Sequence, residues 1–196
     1  LLDGSLSTQL QVGANVGETI TVGALPWVAP VYRAMAQVAS VIELPFAHGG
    51  LQWGVRRGLA RQLRGQFDTA YVCPNSLKSA LLPWWAGIPR RVGYHGESRY
   101  GLLTQRLPNP PQNRSPPMVA FYSALSEESG VEQDCPQLHL GSALVDATLA
   151  TLHVQRQGYY VFAPGAEYGP AKRWPTSHFA VLAEQLTLPV VLLGSG

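Results

Sequence analysis

The residues best suited to chemistry lie in a loop that follows a short apolar segment at residues 159–163. Prolines and glycines interrupt this loop, which carries Lys172 and Arg173 and then leads into an amphipathic stretch at residues 177–186. The first turn of a helix offers unpaired backbone N–H groups and a favourable dipole to an anion, and a lysine adds a full positive charge. The pattern therefore predicts a phosphate site. An ordinary strand-to-helix connection with a solvated basic pair fits the same residues.

Hydrophobic periodicity places this loop in a chain of alternating strands and helices. Strands are predicted at residues 18–24, 41–44, 69–73, 91–94, 159–163 and 189–193. Helices are predicted at residues 27–38, 51–67, 76–86, 118–126 and 176–186. The stretch at 139–153 shows no strong period, and residues 107–117 have the composition of a surface loop. The alternation implies right-handed crossovers and a doubly wound sheet, which is an α/β fold.

The segment 51–67 has the clearest helical period. Its apolar residues recur every four positions and predict the buried face, formed by Val55, Leu59, Leu63 and Phe67. Three arginines fall on another face, namely Arg57, Arg61 and Arg64. Such a basic stripe is typical of a solvated helix surface, and the alternative is a surface that rests against anionic membrane headgroups.

Composition and charge restrict the classes of function. The 196 residues are 46% hydrophobic and only 13% charged, so the chain can bury a sizeable core. A formal net charge of +2 is too weak to indicate nucleic-acid binding. Cys73 and Cys135 lie far apart in the sequence and predict reduced thiols of a cytosolic protein, with a structural disulfide as the less favoured alternative. The five histidines share no ligand spacing, so no structural metal is expected.

Neither a membrane span nor a signal peptide is predicted. No apolar run reaches the roughly 18 residues that span a bilayer. The first residues include neither an initiator Met nor the basic flank of a signal peptide, so a truncated N-terminus is expected.

Three blocks of sequence carry a family resemblance. The block at 161–175 contains PGAEYGPAKRWP, the block at 72–103 contains PNSLKSALLPWWAGIPRR, and the block at 42–49 is IELPFAHG. In their residues and in their order along the chain, these blocks resemble the bacterial lipopolysaccharide core heptosyltransferases of glycosyltransferase family 9, type II in particular. The resemblance implies a GT-B fold, in which two Rossmann-like halves face each other across a cleft.

The resemblance also implies a division of labour between two domains. Residues 1–153 would form the acceptor-binding Rossmann-like domain, incomplete at its start. Residues 154–196 would form the truncated beginning of the domain that binds ADP-heptose. Family members begin with a strand and a glycine-rich loop bearing an Asp that acts as general base. This chain has no counterpart, because Asp3 lies too close to the strand predicted at 18–24.

The implied reaction is an inverting transfer of heptose. A carboxylate removes a proton from the acceptor hydroxyl, which attacks the anomeric carbon as ADP leaves. Lys172 matches the family position that stabilises the departing diphosphate and is the expected catalytic residue. Gly165, Ala166 and Glu167 complete the expected donor site, with a surface carboxylate as the alternative role of Glu167. Trp174 is expected to be a packing anchor beneath the helix start, with a platform for a sugar as the alternative role.

On the acceptor side, the resemblance implies contacts with a core that is rich in carboxylate and phosphate. Six basic or polar residues near predicted strand and helix ends are the candidates: Asn75, Ser76, Lys78, Arg90, Arg91 and Arg99. Capping of the helix at 76–86 is the favoured role of Asn75 and Ser76, and Gly87 is the expected residue just past its end. Trp84 and Trp85 offer a flat apolar surface, although burial is favoured for at least one of them.

The implied partners are the donor substrate ADP-L-glycero-D-manno-heptose and the inner core of lipopolysaccharide, with no cofactor. The expected location is the cytoplasm, with peripheral contact at the cytoplasmic face of the inner membrane. Two alternatives remain open: a non-catalytic fragment or pseudo-enzyme that retains acceptor binding, and a heptosyltransferase that adds a different core heptose. The isolated chain is expected to show no appreciable transferase activity.

Overall fold

The structure, a computed structural model, describes residues 10–12, 19–47, 50–111, 116–126, 137–165 and 170–194. The chain divides into two units, Leu1–His139 and Leu140–Gly196. This division falls earlier in the chain than the boundary predicted near residue 153. The difference arises because the stretch at 139–153, which shows little period in the sequence, contains a helix that belongs to the second unit.

The first unit is built on a sheet of six strands. These are β1 Leu10–Val12, β2 Thr21–Ala24, β3 Ser40–Glu43, β4 Thr69–Val72, β5 Arg90–Tyr94 and β6 Gln105–Leu107. Their order in the sheet is β3-β2-β1-β4-β5-β6. All neighbours are parallel except β1, which lies at the centre and runs antiparallel to β2 and β4. Alternating strands and helices confirm the predicted α/β class, with a mixed sheet in place of a purely parallel one.

Four helices accompany this sheet: α1 Ala29–Arg33, α2 Trp53–Gln62, α3 Leu77–Trp85 and α4 Met118–Ser123, the last followed by a 3-10 turn at Ala124–Ser126. Helix α1 is much shorter than the helix predicted at 27–38. The Ala34 carbonyl accepts a 2.6 Å bond from the His139 N–H, and Met35 forms a bridge with Leu138. These long-range bonds draw the chain away from the helical path after Arg33.

The buried face of α2 differs by one position from the predicted stripe. Val55 is exposed, whereas Arg56 is buried together with Ala60 and Leu63. Arg56 can be buried because its guanidinium lies 3.8 Å from the centre of the Phe46 ring. The same group donates hydrogen bonds to the carbonyls of Leu51 (2.8 Å) and Lys78 (3.2 Å). The prediction was wrong for Val55, because a satisfied arginine fills the position that an aliphatic residue was expected to take.

Both faces of the sheet are covered. Successive residues of β4 point to opposite sides. Ala70 and Val72 belong to a cluster with residues of α2 and α3, while Tyr71 belongs to a second cluster with Leu125 of the 3-10 turn. A third cluster joins β2 to α1. Each fully buried Leu or Ile contributes about 1.5–3 kcal/mol to folding, so these clusters stabilise the first unit.

The second unit contains α5 Ser142–Thr151, β7 Tyr160–Phe162, a 3-10 turn at Pro170–Lys172, α6 Thr176–Glu184 and β8 Val190–Leu192. Strands β7 and β8 are parallel, so residues from β7 to β8 form one βαβ unit. The strands predicted at 159–163 and 189–193 and the helix predicted at 176–186 are confirmed with shorter limits. In the described part of the chain, no helix combines the length and apolarity needed to cross a bilayer.

Candidate functional site

The predicted phosphate loop lies between β7 and α6. Its 3-10 turn ends at Lys172, and α6 begins at Thr176 after Pro175, whose side chain makes no capping bond. No acidic residue lies in the first turn of α6. Ala166 and Glu167 lie outside the described residues. Within the described residues, the first turn of α6 thus has neither a side-chain cap from Pro175 nor an acidic residue, and a phosphate at this position stays a prediction.

The Lys172 side chain is exposed, and no described side chain bonds to its ammonium group. Gly165, on the other side of the loop, is also exposed, and a Cβ added there would meet no atom within 4 Å. The main chain at Gly165 is thus open to a ligand and is not fixed by close packing. These two residues form the described part of the expected donor site.

A cluster of aromatic rings packs at the C-terminal end of the loop. The Trp174 ring packs edge-on against Phe179 at 4.8 Å and against His178 at 5.4 Å. Phe179 in turn lies 5.4 Å from Phe162 of β7. This contact ties the loop to both the helix and the strand, which is the packing role expected for Trp174.

In the first unit, the loops after β4 and β5 meet. A Cβ on Gly96 would lie closer to the Asn75 carbonyl oxygen than van der Waals contact allows, so only glycine fits. The Glu97 N–H donates to the same oxygen at 3.2 Å. The Glu97 carboxylate accepts a 3.0 Å bond from the Leu77 N–H. Glu97 therefore occupies the capping role at α3 that the sequence assigned to Asn75.

The residues at the start of α3 face this junction. Ser76 is the N-cap residue by backbone position, yet its side chain makes no capping bond and its buried Oγ lacks a described partner. Lys78 lies in the first turn of the helix and is half-buried. A lysine is unfavourable beside the positive end of a helix dipole, and the Glu97 carboxylate offsets this cost. The expected Gly87 is confirmed beyond the end of α3, with φ +71°.

Arg99 lies beneath the junction and is 1% exposed. Its guanidinium donates to the Pro74 carbonyl at 2.6 Å, to Asn75 Oδ1 at 3.1 Å and to the Tyr94 carbonyl. Burial lowers the pKa of this guanidinium, and the nearby Glu97 opposes that shift. Arg99 was expected to contact the acceptor. The structure instead places it inside the protein, where it positions Asn75.

Arg90 and Arg91 lie at the amino-terminal end of β5, at the opposite end of the strands from Asn75. Arg90 begins β5 and pairs in register with Thr69 at the start of β4, whereas Asn75 follows the end of β4. Arg91 donates to the carbonyls of Ile88, Pro89 and Leu102, and burial lowers its pKa. Ligands of such sheets bind at the carboxyl ends of the strands. The six predicted acceptor residues therefore form two groups at opposite ends of the strands. Asn75, Ser76, Lys78 and Arg99 lie near the carboxyl ends, and Arg90 and Arg91 lie near the amino ends.

Sequence reasoning missed Glu97 and Gly96, which hold the junction together. The only signal was weak: Glu97 is the single acidic residue in the block at 72–103. Among the described residues, no group of three His, Cys, Asp or Glu side chains could hold a metal ion.

The sequence matches the profile of the family described as glycosyltransferase family 9 (heptosyltransferase) over residues 56–195. Lipopolysaccharide heptosyltransferase 2 of Escherichia coli K12 is 42% identical over 90% of this chain and 54% of its own length. Lipooligosaccharide heptosyltransferase 2 of Haemophilus influenzae is 40% identical over 90% of this chain and 55% of its own length. The chain thus spans about half the length of the curated relatives it matches.

Solved structures agree with these matches. The Escherichia coli ADP-heptose LPS heptosyltransferase II superposes with a TM-score of 0.76 at 39% identity, over 91% of this chain and 56% of that chain. A glycosyl transferase family 9 protein from Veillonella parvula superposes with a TM-score of 0.72 at 17% identity, covering 90% of this chain and 53% of that chain, which supports the fold alone. The predicted fold class and the resemblance stated from the three sequence blocks are confirmed.

Proposed function

Because the chain belongs to glycosyltransferase family 9, we propose that it carries the acceptor side and the phosphate loop of a heptosyltransferase. The reaction is transfer of L-glycero-D-manno-heptose from ADP-heptose to the inner-core heptose of lipopolysaccharide. Support comes from relatives at 40–42% identity that are named lipopolysaccharide or lipooligosaccharide heptosyltransferase 2. The observation that carries the chemistry is the exposed ammonium of Lys172 beside the uncapped start of α6.

Lys172 acts on the leaving group. As the bond from the anomeric carbon to ADP breaks, negative charge gathers on the diphosphate, and a fixed cation stabilises that state more than the ground state. Main-chain N–H groups at the start of α6 add oriented dipoles. Gly165 leaves room for the phosphates, and we assign Ala166 and Glu167 to the same donor site.

The acceptor lies at the junction of the loops after β4 and β5. The exposed Asn75 hydrogen-bonds sugar hydroxyls, and Lys78 pairs with a carboxylate or phosphate of the core. Ser76 keeps its N-cap position at the start of α3, because its Oγ is buried. Arg99 acts through Asn75 by fixing its side-chain oxygen at 3.1 Å. Arg90 and Arg91 support the opposite edge of the sheet and make no contact with the sugar. The proposed location is the cytoplasmic face of the inner membrane, because the acceptor is linked to lipid.

The test is ADP release by the protein in its natural length. ADP-heptose is the donor, and the acceptor is lipid A–Kdo core with or without its first heptose. We expect ADP release only with the heptosylated acceptor. Equal release with both acceptors would point to transfer onto a different position. Failure to release ADP with either acceptor would overturn the enzymatic proposal.

A second candidate is a non-catalytic protein that binds the acceptor. One observation favours it: the proposed acceptor residues lie in the unit that has its own packed core. Binding of the heptosylated core by the 196-residue chain, without ADP release from the protein in its natural length, would support this candidate.

A further inference from the structure

The surface formed by α2 and α3 carries exposed tryptophans. Trp53 is 54% exposed and Trp84 is 45% exposed. Trp85 is half-buried between them, with ring centres 5.2 Å from Trp53 and 6.4 Å from Trp84. The three indoles thus form one continuous aromatic surface. Removing large indoles from water normally favours folding, so two exposed rings at one place indicate a contact that the described residues of the first unit do not supply.

Arginines extend this surface along α2. Trp53, Arg57 and Arg61 recur every four residues on α2, so they share one face of the helix. Arg64 follows in the turn after the end of α2. The Arg57 guanidinium lies 5.7 Å from the centre of the Trp85 ring. All three arginines are exposed, and none forms an ion pair with a described carboxylate. We call the set Trp53, Arg57, Arg61, Arg64, Trp84 and Trp85 the Trp–Arg face.

Acidic residues are sparse in the sequence around the Trp–Arg face. No Asp or Glu occurs at residues 50–67 or 74–96, and Asp68 is the acidic residue nearest in sequence to the three arginines. Gly54 and Gly58 lie on α2 with open space where a Cβ would stand, so they leave the surface unobstructed. The local charge therefore differs strongly from the whole chain, whose formal net charge is only +2.

We propose that the Trp–Arg face docks on an anionic lipid bilayer surface. Indole rings settle at the boundary between headgroups and acyl chains, because they combine an apolar body with one polar N–H. Arginines beside them attract anionic headgroups and can extend their charge to the phosphate level. A neutral partner would leave three arginines without counter-charges, and a purely electrostatic partner would not need two exposed indoles.

Docking at this face would bring the membrane close to the acceptor residues. Helix α3 carries Lys78 in its first turn and Trp84 and Trp85 at its end. Lys78 and Trp84 are thus separated by on the order of 10 Å along the axis of α3. The inference deepens the proposed function and rests on it only for the statement that the acceptor is linked to lipid.

The experiment is vesicle co-sedimentation of the full chain at low and high salt. Vesicles contain phosphatidylcholine alone or phosphatidylcholine mixed with phosphatidylglycerol. We expect binding to the anionic vesicles only, weakened at high salt. The combined Arg57→Gln, Arg61→Gln and Arg64→Gln variant should lose binding on the order of 100-fold, at roughly fivefold for each charge. The Trp53→Ala and Trp84→Ala double variant should lose binding about 10-fold or more.

The matched controls are Trp27→Ala, which removes a 64% exposed indole elsewhere, and Arg156→Gln, which removes an exposed arginine of the second unit. Both should bind vesicles as the unchanged chain does. Absence of binding to anionic vesicles would overturn the proposal, as would an equal loss in the controls. Concentration-dependent self-association that the Trp–Arg variants abolish would assign the face to a second copy of the chain and overturn it as well. Vesicle binding without ADP release in the transferase assay leaves this proposal standing while the proposed function fails.

Discussion

The two units of this chain bury their apolar side chains to very different extents. In the first unit, helices cover both faces of a six-stranded sheet, and three clusters of apolar side chains are buried. In the described part of the second unit, Leu149 is the only buried apolar side chain, and Leu192 of β8 is 67% exposed. Two strands and a helix have too little surface to enclose a core. The phosphate loop thus lies on the unit with less packing to hold it, and the acceptor residues lie on the unit with more.

The largest expected effect on stability comes from truncating a buried side chain of the first unit, and it tests the difference in packing between the two units. Leu82 is 2% exposed in the cluster formed by β4, α2 and α3, so Leu82→Ala should lower the free energy of unfolding by about 2–5 kcal/mol. Leu192→Ala removes a similar side chain from water-exposed surface and should change it by less than about 1 kcal/mol. Urea denaturation of the two variants measures both values. Similar losses in the two would remove the contrast between the units.

A somewhat smaller effect is expected from the buried arginine of the first unit. Arg99→Ala leaves the Pro74 and Tyr94 carbonyls without their donor, so it should cost about 2–4 kcal/mol of unfolding free energy. The matched control is Arg106→Ala, since Arg106 is exposed and its guanidinium lies over Tyr100 at 4.2 Å. That variant should cost less than about 1 kcal/mol. Equal costs would show that Arg99 does not brace the loops.

The smallest of the three effects is a loss of stability at high pH. Burial raises the pKa of Tyr32 to about 12, with Cys73 and Tyr122 adding to the shift. The folded state therefore keeps the phenol proton that the unfolded chain loses near pH 10, and stability should fall as the pH rises from about 10 to 12. The phenol is only partly buried, so we expect a decrease on the order of 1 kcal/mol. Denaturation of the unchanged chain and of Tyr32→Phe, which removes the titrating group, measures this slope, and identical slopes would contradict the assignment.

The sequence predicted the elements with strong periodicity and missed those defined by distant contacts. Strand β4 and helix α3 were found because their apolar runs and flanking turn residues are local signals. Strands β1 and β6 have three residues each, too few to show a period, and are held by their neighbours in the sheet. Helix α5 was missed because its apolar residues follow no clear face.

The same limit applies to the candidate site. The position of Lys172 in an exposed loop before a helix followed from local sequence. The roles of Arg56, Arg91 and Arg99 did not, because their bonds reach carbonyls that lie up to 25 residues away in the chain. A basic residue in a recognisable block indicates a ligand contact only when the fold leaves its charge exposed. The spacing of residues alone could not distinguish an arginine that binds a ligand from one that donates hydrogen bonds to main-chain carbonyls inside the fold.

The central claim concerns the ammonium group of Lys172, and its most direct test is the turnover of Lys172→Ala in the natural-length protein with ADP-heptose and heptosylated acceptor. Loss of one charge-assisted contact to the leaving diphosphate should lower kcat by about 10- to 100-fold with unchanged stability. The control is Arg156→Ala, which removes another exposed cation of the same unit from its ion pair with Asp146 at 2.7 Å, and it should keep normal turnover. A Lys172→Ala protein that turns over as fast as this control would contradict the account.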